Sequence, residues 1–284
     1  MIDPDDNRPL LAGVCGSPIS QTRSPALFRH WFTAYGIGGH YVPLLIDPAD
    51  FENLVPRLPK AGFRGLNVTT PHKAAALAIA DDTSSAAMAI GAANTLTFTS
   101  DGTIHADNTD GYGFLQNLLV GAPNWSPASG PAVILGAGGA ARAALHILLD
   151  AGVPKILIAN RTRGKADELA GRFGAHIEVV DWTDRSAALA GATLIANTTS
   201  LGMIGKPPLE IVLEDADPDA VVTDMVYNPL ETELLARARL GGNHCVDGLG
   251  MLLHQARPGF QRWFGRDAQV TQELRNETLN AVAG

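Results

Sequence analysis

Cysteine is nearly absent from this sequence of 284 residues, which contains only Cys15 and Cys245. No CxxC motif is present, and this excludes a zinc knuckle and a thioredoxin-like redox pair. We expect both thiols to be reduced and buried. Charged residues are also few, at 18%, whereas 46% of the residues are hydrophobic. A chain of this composition can bury a substantial core, which excludes intrinsic disorder.

Basic residues are the minority among the charges, with 21 Lys and Arg against 29 Asp and Glu and a formal net charge of −8. This balance argues against a nucleic-acid-binding protein, which needs clustered cations. No apolar run reaches the roughly 18 residues of a membrane helix. The N-terminus, Met1 to Asn7, lacks the basic start and apolar run of a secretory signal. The histidines show no metal-ligand spacing such as HExxH. We therefore expect a cytoplasmic protein with no metal, no nucleic acid and no membrane as a partner.

Short apolar runs alternate with helix-length segments along the chain. Strands are predicted at 10–15, 41–45 and 65–68, with helices at 25–35, 51–58 and from 73 to about 80. A helix at 112–119 precedes a loop rich in Pro, Ser and Gly at 122–131, and a second series runs from the strand at 132–135 to about Cys245. Helices are predicted again at 248–264 and 268–282. This alternation predicts two α/β domains with mostly parallel sheets, separated by a cleft.

A glycine-rich turn opens the second series. The strand at 132–135 leads into Gly136-Ala137-Gly138-Gly139-Ala140-Ala141 and then into a helix. In this G-x-G-x-x-A pattern Gly136 allows the tight turn, Gly138 lets the backbone approach a pyrophosphate, and Ala141 lets the helix pack closely. The free N–H groups of the helix start favour phosphate. The turn therefore predicts a Rossmann-like dinucleotide site, the alternative being a turn that serves only packing.

The next strand, predicted at 155–159, leads into Asn160-Arg161-Thr162-Arg163-Gly164-Lys165. An NAD-selective site usually carries Asp or Glu here to accept from the ribose 2′-hydroxyl, and this segment has neither. Arg161 and Lys165 instead offer cations, and Thr162 a hydroxyl, where a 2′-phosphate would lie. The segment predicts an NADP site, the alternative being a solvated basic helix start.

Polar clusters of the N-terminal half lie in predicted loops at 22–25, 67–73, 93–95 and 107–111. Open α/β sheets bind ligands at strand ends, and these hydroxyls, amides, cations and carboxylates suit a small polyhydroxylated acid. Lys73 and Asp110 offer a proton-transferring pair. Each cluster also has a structural interpretation, since Thr22 and Ser24 resemble helix caps, 108–111 resembles a turn, and Lys73 alone resembles a surface lysine.

An ordered set of motifs resembles the shikimate dehydrogenase family. The first half contributes Gly16-Ser17-Pro18-Ile19 with Ser24-Pro25, Asn67-Val68-Thr69 with Pro71 and Lys73, Gly91-Ala92-Ala93-Asn94-Thr95, and Asp107-Asn108-Thr109-Asp110-Gly111. The second half contributes Gly136-Ala137-Gly138-Gly139-Ala140, Asn160-Arg161-Thr162, Asn197-Thr198-Thr199-Ser200-Leu201-Gly202-Met203, Asp224-Met225-Val226-Tyr227-Asn228-Pro229, and Asp247-Gly248-Leu249-Gly250-Met251-Leu252 with Gln255. These segments follow the family's order over nearly the whole chain, which makes the resemblance specific.

The resemblance implies reversible NADP-linked reduction of 3-dehydroshikimate to shikimate, a step of chorismate and aromatic amino-acid biosynthesis. We expect a monomer or homodimer, a choice that the sequence does not decide. It implies Lys73 and Asp110 as the catalytic pair. The implied substrate-binding residues are Thr22, Ser24, Thr69, Asn94, Tyr227 and Gln255. The implied cofactor-binding residues are Gly136, Ala137, Gly138, Gly139, Ala140, Asn160, Arg161, Thr162, Lys165, Met225 and Gly248. It also implies a discontinuous substrate domain, 1–109 plus 248–284, with the NADP domain, 110–247, inserted.

Two positions depart from the family's usual pattern. Thr22 stands where the family usually has Ser, so the added methyl narrows the carboxylate pocket, and Lys165 stands where Arg is common. The first departure keeps a quinate/shikimate dehydrogenase of broader specificity as an alternative. A nucleotide-binding regulator without turnover is a second alternative, against which the intact Lys73 and Asp110 argue.

Overall fold

The structure is a computed structural model that describes residues 9–281. The chain divides into two compact units, of which unit 1 extends to Thr109 and resumes at Gln255, and unit 2 comprises Asp110–His254. We expected the second domain boundary between 247 and 248, whereas the two compact units divide later, between His254 and Gln255. The predictions for Met1 to Asn7, for the helix end at Val282, and for the outermost parts of the substrate domain lie outside the described residues.

Unit 1 begins with the predicted alternation of strands and helices as far as Ala78, whereas its elements from 82 to 107 were not predicted from the sequence. Its elements are β1 Leu11–Gly16, α1 Ser24–Tyr35, β2 His40–Leu45, α2 Phe51–Leu54, β3 Phe63–Val68, α3 Lys73–Ala78, β4 Asp82–Thr83, α4 Ser85–Ile90, β5 Thr95–Phe98 and β6 Ile104–Asp107, with 3-10 turns at Val55–Arg57 and Pro59–Ala61. Local sequence sets several bounds. Pro25 opens α1, and Gly36 ends it in the left-handed region at φ 63°. Helix α2 is shorter than predicted because Pro56 cannot donate in an α-helix, and a 3-10 turn follows.

The sheet of unit 1 has the order β2-β1-β3-β5-β6-β4. Strand β1 pairs in parallel with β2 and β3, and β4 pairs in parallel with β6. Strand β5 is antiparallel to both β3 and β6, so the sheet is mostly parallel, as expected, with one antiparallel hairpin. Strand β3 is an inner strand of this order, and all six of its residues are buried. The segment that follows β3 therefore lies near the middle of one sheet edge.

Unit 2 is an all-parallel Rossmann-like sheet with helices. Its elements are α5 Asp110–Gly121, β7 Ala132–Leu135, α6 Gly139–Asp150, β8 Ile156–Ala159, α7 Arg163–Phe173, β9 Ile177–Val180, β10 Leu194–Asn197, β11 Val221–Asp224, α8 Glu233–Leu240, β12 His244–Val246 and the start of α9 Leu249–Phe264, with 3-10 turns at Pro127–Ser129, Trp182–Asp184 and Ala187–Leu189. The strand order is β12-β11-β10-β7-β8-β9. The chain order reverses between β7 and β10, and ligands of open α/β sheets bind at such a switch point.

The C-terminal part of the chain rejoins unit 1 through aromatic packing. The rings of Trp31 and Phe260 meet edge-on at 5.0 Å, and the Trp263 indole donates to the Leu96 carbonyl at 3.1 Å. A Cβ at Gly65 would overlap that indole, so glycine in β3 is what admits Trp263.

Two predictions for the second half need correction. The last helix, α10 Gln272–Asn280, begins later than position 268 because Thr271 caps it by accepting from the Leu274 N–H at 3.1 Å. Both thiols are free, but only Cys15 is buried. Cys245 is half-buried because it lies in β12, the edge strand of its sheet.

Within residues 9–281, no helix combines the length and apolar character needed to cross a membrane. The same residues contain no group of three or more His, Cys, Asp or Glu side chains arranged to hold a metal ion.

Candidate functional sites of the two units

The loops that follow β1 and β3 lie side by side in unit 1, because the two strands are parallel neighbours. The Thr69 N–H donates to the Cys15 carbonyl at 2.9 Å, and the Ser17 N–H donates to the Thr70 carbonyl at 3.1 Å. An added Cβ at Gly16 would lie 2.6 Å from Cγ2 of Thr69, so only glycine permits this approach. The structure therefore brings Thr69 beside the loop that carries Thr22 and Ser24.

Asn94 is the centre of a buried hydrogen-bond cluster in unit 1. Its Oδ1 accepts from the Thr109 N–H at 2.8 Å, from the Thr109 hydroxyl at 3.1 Å and from the Thr95 hydroxyl at 3.0 Å. Its Nδ2 donates to Oε1 of Gln255 at 3.2 Å. Asn94 is 3% exposed, and a buried amide of this kind needs its full set of partners. The cluster fixes the amide orientation and joins segments that are far apart in sequence.

A second buried chain of hydrogen bonds connects Ser24 to the same cluster. The Tyr41 phenol donates to Oδ1 of Asn67 at 2.7 Å, and Nδ2 of Asn67 donates to the Thr95 hydroxyl at 3.1 Å. Burial, and next the nearby Cys15 thiol, raise the pKa of Tyr41 well above its ordinary value, while a hydrogen bond with the Ser24 side chain opposes the shift. Tyr41 therefore stays a neutral phenol that donates to Asn67 and accepts from the Ser24 hydroxyl, which restricts both side chains.

Thr22 has a local structural contact and also lines a groove of unit 1. Its Oγ1 accepts from the Ser24 N–H at 3.3 Å, which is a local turn contact. The interpretation of Thr22 and Ser24 as helix caps is wrong, because the N-cap of α1 is Arg23, without a side-chain capping bond, and Ser24 is already the first helical residue. Thr22 also borders a largely apolar groove of about 760 Å³ with Pro18, Ile19 and Leu45 among its walls. The hydroxyl thus stabilises the turn that presents Ser24.

Lys73 is the first residue of α3, and its carbonyl accepts from the Ala93 N–H at 2.8 Å. Its backbone is therefore tied to the residue before Asn94, and its side chain is half-buried. Asp110, the other predicted catalytic residue, is half-buried and begins α5 as the first residue of unit 2.

Asp107, at the end of β6, anchors the segment that leads to Asp110. Its carboxylate accepts from the Ser84 hydroxyl at 2.5 Å, from the Asn108 N–H at 2.7 Å and from the Arg262 guanidinium at 2.6 Å. Burial acts to raise the pKa of Asp107, but the Ser84 bond and the charge of Arg262 outweigh it and leave the pKa below its ordinary value. The carboxylate is therefore held ionised at the start of the motif.

In unit 2 the glycine turn has the geometry that its sequence predicts. Gly136 has φ 112°, and an added Cβ would lie 2.7 Å from Oγ1 of Thr198, so a larger residue is excluded. Gly138 is the N-cap of α6 and brings no side chain to its free N–H groups. Ala141 is fully buried, which lets α6 pack closely. The N-terminus of α6 is therefore available to a phosphate.

A groove of about 370 Å³ runs along the carboxyl ends of these strands. Its walls are Gly136, Ala137, Gly138, Asn160, Arg161, Thr162, Lys165, Trp182, Thr198, Thr199, Ser200 and Leu201. Arg161 and Lys165 are exposed, whereas the neighbouring Arg163 pairs with Asp181 at 2.7 Å and is not part of the walls. The structure thus brings most predicted cofactor residues together. Of the three cations in this segment, Arg161 and Lys165 line the groove, whereas Arg163 forms a salt bridge outside it. Gly139 and Ala140 form the first turn of α6 next to the groove.

The other predicted residues of unit 2 lie after β11. Asp224 is fully buried, and its carboxylate accepts from Nδ2 of Asn197 at 3.0 Å, the Val226 N–H at 2.9 Å and the Thr232 hydroxyl at 2.7 Å. Burial raises its pKa above the ordinary value against these hydrogen bonds. The network fixes the turn that carries Met225 and Tyr227.

Met225 and Gly248 are neighbours in space. An added Cβ at Gly248 would meet the Met225 carbonyl, so glycine is required for this approach. Tyr227 is half-buried and belongs to unit 2, whereas the other predicted substrate-binding residues belong to unit 1.

Two residues at these sites were not singled out from the sequence. Tyr41 lies in an ordinary apolar strand pattern, and only its stacking on Phe28 at 3.7 Å and its bond to Asn67 reveal its position. Trp182 follows β9 in a polar segment. It lies far from the glycine turn in the sequence, and no sequence motif connects the two.

Three family models match the chain. The shikimate dehydrogenase substrate binding domain matches residues 14–96. The model for shikimate / quinate 5-dehydrogenase matches residues 126–225, and the shikimate 5′-dehydrogenase C-terminal domain matches residues 248–272.

Curated relatives match almost end to end. A protein of Roseobacter denitrificans named shikimate dehydrogenase (NADP(+)) is 57% identical over 95% of this chain and 97% of its own length. A protein of Dinoroseobacter shibae with the same name is 55% identical over the same shares.

Solved structures match in fold over nearly the whole chain. Shikimate 5-dehydrogenase from Thermus thermophilus, in complex with NADP(H) and shikimate, has a TM-score of 0.85 and 32% identity and covers 96% of this chain and 99% of its own. Quinate dehydrogenase from Corynebacterium glutamicum, in complex with NAD, has a TM-score of 0.89 and 30% identity, with 97% and 100% covered.

Proposed function

The chain belongs to the shikimate dehydrogenase family, and on that premise we propose that it catalyses the reversible NADP-dependent reduction of 3-dehydroshikimate to shikimate. Relatives at 57% and 55% identity bear the NADP-specific name. One structural observation carries the proposal furthest, the cluster around Asn94, because it joins Thr109 and Gln255 from two other family motifs at a single amide.

The groove of unit 2 fits the cofactor. The uncapped N-terminus of α6 suits a pyrophosphate, and the walls that include Arg161, Thr162 and Lys165 offer two cations and a hydroxyl to a ribose 2′-phosphate. The residues that would hold the cofactor are therefore Gly136 to Ala140, Asn160 to Thr162 and Lys165, with Met225 and Gly248 as further contacts. A cofactor held by these residues would supply the hydride for the C3 carbonyl of the substrate.

The substrate is proposed to bind through uncharged donors and acceptors. Ser24, Asn94 and Gln255 present a hydroxyl and amides whose orientations are restricted by the buried networks of unit 1, and Thr69 adds a hydroxyl beside Gly16. Such groups can pair with ring hydroxyls and a carboxylate without a buried countercharge. Thr22 and Tyr227 are proposed to complete the set, as the family resemblance implies.

Lys73 and Asp110 are proposed to hold and move the proton at the oxygen on C3. A positioned pair of this kind stabilises the charge that develops on the oxygen in the transition state. The tie between the Lys73 carbonyl and the residue before Asn94 supports the placement of the lysine beside the substrate groups.

A broader quinate/shikimate specificity is a second candidate. Thr22 departs from the family's usual Ser, and a quinate dehydrogenase is among the structural neighbours. Initial rates of the purified chain with shikimate or quinate, each with NADP or NAD, test both candidates. The main proposal expects shikimate with NADP to be the most efficient combination, and comparable efficiency with quinate would favour the alternative.

We also propose that unit 1 binds the substrate and that unit 2 binds the cofactor. The cytoplasmic location and the monomer or homodimer state stay predictions of the same kind. Cell fractionation and sedimentation of the purified chain test them.

A further inference from the structure

One wall of the nucleotide groove has no role in the function proposed above. Trp182 lines this groove together with Arg161 and Lys165, at the start of the short turn that follows β9. It is partly exposed. The other three tryptophans of the chain, Trp31, Trp125 and Trp263, are 1%, 8% and 1% exposed. A partly exposed indole in a groove that suits a nucleotide points to contact with a ligand.

The order of the strands indicates which part of a dinucleotide Trp182 would meet. Strands β7, β8 and β9 are parallel neighbours, so the segments after them form successive parts of one edge. The turn after β7 suits the pyrophosphate, and Arg161 after β8 suits the 2′-phosphate. The base leaves the ribose at C1′, next to the carbon that carries the 2′-phosphate, and the 5′-phosphate leaves from the other end of the ring at C4′. The next position along this edge, after β9, is therefore where the base would lie.

The indole is held by a residue that lies outside this groove. The Arg185 guanidinium lies 4.7 Å from the centre of the Trp182 ring. It is anchored by donating to the Glu210 carbonyl at 2.9 and 2.6 Å and to the Trp182 carbonyl at 2.5 Å. Arg185 borders a different depression with Glu210 and is not a wall of the nucleotide groove. The salt bridge from Arg163 to Asp181 also fixes the preceding residue.

We propose that Trp182 stacks on the adenine of NADP and that Arg185 is a positioning residue that holds the indole for this contact. The inference rests on the proposed NADP site and adds recognition of the base to recognition of the 2′-phosphate. An aromatic ring offers a flat apolar face that suits a purine. Because the ring is already held, stacking sacrifices little side-chain freedom.

The direct test is binding of adenosine 2′,5′-bisphosphate to the purified full chain by isothermal titration calorimetry. The ligand carries the adenine and the 2′-phosphate but no nicotinamide, so the measurement does not depend on turnover. Trp182→Ala is expected to weaken binding by about 5- to 150-fold, the range for loss of one base–aromatic stack. Trp182→Phe should retain most of the affinity. Thr183→Ala, an exposed neighbour outside the groove, is the matched control and should bind as the wild type does.

Two further measurements separate stacking from general damage to the groove. Titration with adenosine 2′,5′-bisphosphate should quench part of the tryptophan fluorescence of the wild type, and Trp182→Phe should abolish that part while the ligand still binds. Arg185→Ala should weaken binding by about 2- to 5-fold. It should have no further effect in a Trp182→Ala background, because it acts through the ring.

The outcomes are distinct. If wild type binds and Trp182→Ala binds within about twofold of it, or if Trp182→Phe keeps the full quench, the stacking role is wrong although the cofactor site stands. If wild type does not bind adenosine 2′,5′-bisphosphate, the proposed cofactor site and the stacking role both fail. Loss of binding in Trp182→Ala with retention in Trp182→Phe and Thr183→Ala supports the proposal.

Discussion

Replacement of Arg161 by alanine gives a sharp test of cofactor selectivity, because the same segment contains its own control. Arg161 is an exposed wall of the groove, whereas Arg163, two residues later, pairs with Asp181 at 2.7 Å and Asp167 at 3.7 Å. Arg161→Ala and Arg163→Ala remove the same charge from the same short segment. Only the first removes a group that faces the place proposed for the 2′-phosphate.

The expected magnitude follows from the exposure of the contact. A hydrogen bond to a charged group contributes about 1.5–3 kcal/mol, and solvent screening at an exposed site reduces this range. We expect Arg161→Ala to lower kcat/KM for NADP by about tenfold, equivalent to about 1.4 kcal/mol. The kcat/KM for NAD should change by less than about twofold, since NAD has no 2′-phosphate. Arg163→Ala should leave the preference for NADP over NAD unchanged.

The assay is the initial rate of shikimate oxidation with each nucleotide, repeated at low and high salt. The preference of the wild type for NADP should shrink as salt rises, because the screening length falls from about 10 Å at 0.1 M to about 3 Å at 1 M. Equal losses for both nucleotides in Arg161→Ala, or an equal loss of preference in Arg163→Ala, would refute the assignment of Arg161 to the 2′-phosphate.

Three further predictions concern unit 1 and the proton pair. Lys73→Ala should lower kcat by on the order of 10²–10⁴-fold with little change in KM for shikimate, and a near-normal kcat would exclude a role of Lys73 in proton transfer. Asp110→Asn should lower kcat similarly, and the effects of the two substitutions should not add in the double variant. Thr22→Val should lower kcat/KM for shikimate by about 10- to 150-fold if the hydroxyl meets the substrate carboxylate, whereas unchanged kinetics would leave it as a turn residue. Tyr41→Phe should lower the free energy of unfolding in a denaturant titration by about 1–3 kcal/mol, because a buried amide oxygen loses its donor; an unchanged value would contradict the buried network.

The glycine turn and the strand alternation were predictable because their physics is local. Gly136 sits at a positive φ that other residues avoid, and the polar segment from Asn160 to Lys165 follows directly from an apolar strand. Short-range patterns of this kind determine the turn and the position at which the following helix begins. The same patterns placed the helix at 248–264, whose observed bounds are Leu249–Phe264.

The return of the C-terminal helix to unit 1 could not be derived from local pattern. It depends on Trp263 reaching the Leu96 carbonyl and on Gly65 leaving room for the indole, two residues whose relation appears only in three dimensions. Tyr41 and Trp182 could not be predicted as site residues for the same reason, because burial and stacking depend on which residues pack against them in the fold and not on the residue type alone. The expectation of a discontinuous substrate domain came from the family resemblance, because hydrophobic periodicity does not show which domain a helix joins.

The most direct test of the central claim is the absorbance of reduced nicotinamide when the purified chain is mixed with shikimate or quinate and with NADP or NAD. The account predicts rapid reduction of NADP with shikimate, at least about tenfold less efficient reduction of NAD, and loss of both rates in Lys73→Ala. No reduction of either nucleotide with shikimate by the folded chain would contradict it and favour a nucleotide-binding protein without turnover.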